Sequence, residues 1–172
     1  VMITENKGVV TGILIAATLW FFMFSPWTAP MINFWGAMTF SAVILTCVSR
    51  WLCPEMFKEL RFGGKQIVLG FAIAFVLWWV FWIGDKMSQL IFNFARPQVD
   101  MIYSMGNGTS SVIIAILLLL IIGPAEEIFW RGFVQRRLML RFGSNIGFIA
   151  ATVCYALVHI WSFNFMLVMA AP

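Results

Sequence analysis

Residues 112–134 read VIIAILLLLIIGPAEEIFWRGFV. Eleven apolar residues, Val112–Ile122, run without a charge into Gly123-Pro124-Ala125. Two adjacent carboxylates follow, Glu126 and Glu127, then Ile128–Trp130 and a single guanidinium, Arg131. A bilayer-crossing helix needs about 20 mainly apolar residues, and backbone in hydrocarbon must satisfy its own hydrogen bonds. The stretch therefore reads as one long, interrupted transmembrane helix. Charges inside such a helix cost roughly 2.5–3.5 kcal/mol each on insertion scales, so two acids and an arginine there need a reason.

The rest of the chain agrees with a membrane setting. Of its 172 residues 62% are hydrophobic and 10% charged, against about 25% charged in an average soluble chain. Val9–Phe24, Met31–Val48, Ile67–Ile83 and Ile146–Trp161 are further charge-free runs, and Phe163–Ala171 begins another. The expected fold is all-α: a polytopic helix bundle of five full spans plus the start of a sixth, in one domain over residues 1–172. Polar connectors are expected at Ser25–Pro30, Arg50–Lys65, Gly84–Gly108 and Arg136–Asn145, with Met87–Phe94 lying along the outer interface. The first run lacks a convincing small-residue cleavage site and is followed by more spans, which excludes a removable signal peptide. The chain starts on Val1 and ends at Pro172 inside an apolar stretch, which reads as an incomplete domain.

Lys and Arg favour the cytoplasmic side. With the amino terminus inside, that side holds Lys7, Arg50, Lys58, Arg61, Lys65, Arg136, Arg137 and Arg141, and the outer side only Lys86 and Arg96. The net charge of +4 follows from this bias and excludes a nucleic-acid surface; the lipid bilayer is the first partner. Trp20, Trp27, Trp51 and Trp161 fall near run ends, where indoles anchor at the interface. Cys47, Cys53 and Cys154 form no Cys-x-x-Cys pair and read as small apolar filler.

The intramembrane charges carry the chemistry. Glu127 and Arg131 are four apart with the acid nearer the amino end, the favourable order for an ion pair. Glu126 points about 100° away and has no partner on its own helix. Gly123-Pro124 followed by acids also fits an ordinary helix start, which explains the acids' position but not their apolar surroundings. His159 is the one histidine. Thr152, Tyr155 and His159 share one helix face by their spacing, and such a face should turn inward. Glu126 and His159 are also equidistant from the Phe142–Gly143 junction, so an antiparallel hairpin turning there sets them at matching heights. A carboxylate beside an imidazole is a general-base arrangement that activates a water without a Ser or Cys nucleophile.

These residues resemble a family. Glu126-Glu127-Ile128-Phe129-Trp130-Arg131-Gly132 is similar to the Glu-Glu-x-x-x-Arg motif of the CAAX prenyl protease 2-like family, also called the CAAX protease and bacteriocin-processing (CPBP) or Abi family. Tyr155-Ala156-Leu157-Val158-His159 resembles its second motif, Phe-x-x-x-His, with Tyr for Phe. The motif core spans residues 113–162. The resemblance implies a bundle of about eight helices and a glutamate-based intramembrane endopeptidase in a prokaryotic cell membrane. In it Glu126 and His159 activate water, and Glu127 and Arg131 support the site. The substrate is then a peptide or protein, prenylated or a leader peptide. No cofactor is required: His-Glu-x-x-His is absent, and a metal at Glu126 and His159 is the less favoured alternative. The family's later His and Asn, which resemble an oxyanion-binding pair, have no counterpart here, so the 172-residue chain by itself is expected to be inactive. The competing readings are a non-catalytic immunity or scaffold protein on the same fold, and a small ion-coupled transporter. The latter lacks the internal repeat that transporters often carry.

Overall fold

Every long apolar run is helical in the computed structural model, which describes residues 2–60, 63–106 and 108–171, with side chains from residue 8 onward. Arg61 and Pro172, and the side chains of Glu5 and Lys7, lie outside the described residues. The order is α1 (Met2–Phe24), α2 (Phe34–Leu52), α3 (Pro54–Glu59), α4 (Gly64–Ile91) and α5 (Ala95–Ser104). Then come the long helix α6 (Ser111–Phe142), α7 (Ser144–Val158) and the short α8 (Phe165–Ala170). No strand occurs among the described residues.

Among the described residues four helices are long and apolar enough to cross a membrane: Phe34–Leu52, Gly64–Ile91, Ser111–Phe142 and Ser144–Ser162. The fifth expected span lies in α1, where the apolar helix Gly8–Phe24 is shorter. The expected sixth is α8, whose start leans on α5: Asn164 donates to the Gln98 carbonyl at 2.8 Å and Gln98 Oε1 accepts from the Met166 amide at 3.0 Å.

The connectors are more helical than their polarity suggests. α4 runs past Gly84 through Met87 to Ile91, so Met87–Phe94 closes that helix and its turn rather than forming a separate interfacial segment. The basic stretch from Arg136 stays helical to Phe142. Arg, Leu and Met are good helix formers whatever their polarity, and the break comes only at Gly143. Its φ of 85° with ψ of 164° is a conformation open essentially to glycine.

The bundle core is aromatic. Trp20, Phe129, Trp130 and Phe133 are each no more than 1% exposed and bring α1 against α6. Ala16, Leu45, Ala151 and Val158 fill in from α1, α2 and α7. Close approach is steric in origin at Gly12, where a Cβ would lie 2.7 Å from Phe133 Cε1. Small residues serve this purpose wherever helices meet in lipid.

A charged clamp ties α3 to the end of α6. Arg136 donates to both oxygens of Glu59, at 2.6 and 2.9 Å, and Arg137 donates to Glu55 at 2.5 Å. The Arg136 guanidinium holds the Glu59 carboxyl below the usual carboxylate range. The Glu55 carboxyl is lowered by its own backbone amide first and by the Cys53 thiol next. Between these pairs the buried Met56 lies against Gly132. Helix α4 is the opposite case: none of its residues is buried, and it packs chiefly on α5.

Candidate active site on the widened helix

Pro124 has no amide proton, and in a regular α-helix its ring would strike the carbonyl four residues back. Helix α6 answers by widening. Leu118–Ile122 is π-helical, and the Gly123 amide bonds to the Leu118 carbonyl, five residues back. A Cβ at Gly123 would sit 2.7 Å from that oxygen, so glycine is the residue this turn admits. One α-turn, Gly123–Glu126, follows, and then a second π segment, Glu127–Gln135. The paired acids straddle the junction, and π-turns within α-helices recur at functional sites.

Glu126 faces α7. The Tyr155 hydroxyl donates a short hydrogen bond to Glu126 Oε2, while Oε1 is buried with no hydrogen-bond partner among the described residues. The Tyr155 ring is packed on several sides. Its centroid is 4.8 Å from that of Trp130 and 5.3 Å from that of His159, and the Arg131 guanidinium carbon stands 4.9 Å over its face. Glu127 and Arg131 do pair, but loosely: Arg131 Nε is 3.8 Å from Glu127 Oε2, with 64% of the Glu127 side chain uncovered by protein.

His159 follows the last residue of α7 and is 5% exposed. The Trp20 indole N–H donates to Nε2 at 2.9 Å, and Nδ1 lies 2.8 Å from the Tyr155 carbonyl. Since Nε2 accepts, Nδ1 carries the proton and donates, which fixes the neutral tautomer by its partners. Phe24 and Trp20 enclose the ring at centroid distances of 5.3 and 5.8 Å.

The structure thus brings Glu126, Arg131 and His159 onto one residue, Tyr155, and no hydrogen bond joins Glu126 to His159 among the described residues. The π segments account for the partner Glu126 meets. A π-turn closes over five residues where an α-turn closes over four, so the stretch Glu127–Gln135 advances less per residue than an α-helix. Counting back from Gly143, Glu126 stands lower than an α-helix would place it, and it meets Tyr155 one turn before His159 on α7.

Two contributors fall outside the sequence-derived set. Tyr155 was visible as part of the polar stripe with Thr152 and His159. Trp20 was assigned to the interface, and that is corrected: it is 1% exposed and caps His159. The available signal was its indole N–H within an apolar run, a group that finds a partner when buried. Trp27 and Trp51, by contrast, are uncovered.

A cleft of about 40 Å³ lies between α6 and α7, with Trp130, Arg131, Gln135, Thr152 and Tyr155 in its walls. A cavity of that size and polarity has room for water. The indole nitrogen of Trp130 is a further buried group without a partner among the described residues. No three His, Cys, Asp or Glu side chains converge on a point among the described residues.

The family model of the type II CAAX prenyl endopeptidase Rce1-like proteins matches residues 108–172, the stretch that contains both motifs and all of α6 and α7. No curated protein and no solved structure matches the chain.

Proposed function

We propose that this protein is an intramembrane endopeptidase of the CAAX type, with Glu126 as the base that activates the hydrolytic water. One observation carries the reading: within the stretch matched to the CAAX endopeptidase model, the first motif glutamate keeps one carboxylate oxygen buried and unsatisfied. A buried polar atom without a partner calls for a water, an ion or a catalytic role. A water on Oε1 gives up a proton to the carboxylate, the hydroxide adds to the scissile carbonyl carbon, and the proton passes to the leaving amine as the C–N bond breaks. Atoms and charge balance without a cofactor.

His159 assists at the same water only when its Nε2 is free of Trp20, so the Trp20 indole must yield before the imidazole takes part. Glu127 and Arg131 act in support, Arg131 by holding the Tyr155 ring. The substrate is a peptide or protein that reaches the site from the bilayer, prenylated or carrying a leader. The bilayer itself is the other partner.

One observation favours the rival reading of an immunity or scaffold protein on this fold: both ring nitrogens of His159 are already committed to the protein. The full-length protein carrying Glu126→Gln decides between them. Cleavage of a farnesylated reporter peptide with a Cys-aliphatic-aliphatic-X end should fall about 10²–10⁴-fold, the usual contribution of a general base. The variant should still insert and melt like the parent. Undiminished cleavage, or undiminished biological function, would replace the proteolytic reading with the scaffold one.

A further inference from the structure

We infer that Tyr155 is a positioning residue that commits Glu126 to a single basic oxygen; the inference rests on Glu126 acting as the base. The motif that Tyr155-Ala156-Leu157-Val158-His159 resembles has Phe at the first place, and Phe would supply the same packing against Trp130, His159 and Arg131. What tyrosine adds is one hydroxyl. A buried hydroxyl is costly unless it is hydrogen-bonded, and this one is bonded to Glu126 Oε2.

The consequence is a difference between the two carboxylate oxygens. A free carboxylate turns about its last torsion, whose wells are broad and roughly two-fold, and offers either oxygen to a water. Here Oε2 is held by the phenol and Oε1 is left, buried and without a partner among the described residues. The phenol is itself prevented from swinging. Trp130 packs against the ring, the Arg131 guanidinium lies over its face at 4.9 Å, and the His159 ring centroid is 5.3 Å from its own. Arg131 and His159 therefore act on Glu126 through Tyr155. A general base works only within hydrogen-bond reach of the proton it takes, and an oxygen fixed in place meets that condition whenever a water is admitted to it.

The test uses the full-length protein in membranes and the farnesylated reporter peptide, with Tyr155→Phe, Tyr155→Ala and Glu126→Gln compared. Tyr155→Phe keeps the packing and removes only the hydroxyl. Its kcat should fall about tenfold to a hundredfold, the effect of one hydrogen bond to a charged acceptor, with KM unchanged because the hydroxyl touches the carboxylate and not the peptide. A residue that merely packs would behave differently: Phe would match the parent and only Ala would fail. Parental kcat in Tyr155→Phe, or a loss confined to KM, overturns the inference. Parental cleavage by Glu126→Gln instead removes the reading beneath it, so the two failures are told apart.

Discussion

Gly147, near the start of α7, sets the distance between the two helices that form the site. A Cβ built there would lie 2.5 Å from the Leu138 carbonyl carbon and closer still to Met139 N and Cα. Carbon atoms pack best at about 3.5–4.0 Å, so Gly147→Ala forces α7 back from α6 by about 1 Å or more. The obstacle is backbone on the facing helix, which has no rotamer to turn away. The cost should therefore lie toward the upper end of the usual overpacking range of about 1–3 kcal/mol. Gly132 offers the internal contrast, because an added methyl there meets the Met56 side chain, which is able to repack. Tyr155 stands eight residues farther along α7, about 12 Å at 1.5 Å per residue, so the displacement reaches its hydroxyl. A 1 Å misplacement far from the chemistry costs as much as ~10²-fold in rate. The assay is a thermal melt in detergent beside reporter cleavage in membranes, for Gly147→Ala and Gly132→Ala together. If Gly147→Ala melts and cleaves like the parent, the close-packed hairpin does not set the site geometry.

Three further outcomes follow from the same contacts. Trp20→Phe removes the donor on His159 Nε2 and leaves a buried acceptor unpaired, which costs about 1–3 kcal/mol; an unchanged melting midpoint would show that the Trp20–His159 bond contributes nothing. The clamp between α3 and α6 should weaken in acid. The Glu55 and Glu59 carboxyls lie below the usual carboxylate range in the folded chain, so their contribution is complete above that range and is lost as pH falls through the lowered folded values. A melting midpoint that stays flat from about pH 6 to about pH 3 contradicts this, and replacing both acids with glutamine should flatten the same curve. Finally, a cysteine at Ser144, in a background lacking Cys47, Cys53 and Cys154, should react with an impermeant thiol reagent from the cytoplasmic side, as the Lys and Arg asymmetry requires; labelling from outside reverses the orientation.

The helices themselves were readable because lipid leaves the backbone few alternatives, and a long charge-free run says as much in sequence as in space. The Glu127–Arg131 pair was readable for a similar reason: its spacing alone sets the two side chains on one face. Other features depend on geometry that no local pattern carries. Trp20 and His159 are far apart in the chain, and a tryptophan at a run end looks the same whether it meets headgroups or an imidazole. Arg136–Phe142 was expected to be connector because it is charged, yet arginine is a good helix former and only Gly143 breaks the chain. Gly123-Pro124 read as a helix start or break, while the structure absorbs the proline in a wider turn. That widening in turn changed which residue of α7 stands beside Glu126.

The widened turns give α6 a count as well as a composition. Where a helix holds extra residues per turn, removing one lets the hydrogen-bond ladder tighten to the ordinary α form without a break. Residues between the lost position and the tightened turn then rotate by about 100°, while those beyond it keep their faces. A single deletion between Glu127 and Gln135 would leave a helix of nearly the same greasiness, still able to enter the bilayer. It would carry Arg131 or Gln135 away from Tyr155 and present another face to α7. The number of residues from Gly123 to Gly143 is thus part of what the sequence encodes. An insertion or deletion there should be far less tolerated than its bland chemistry implies, whereas one apolar residue exchanged for another on the uncovered face of α6 should pass almost unnoticed.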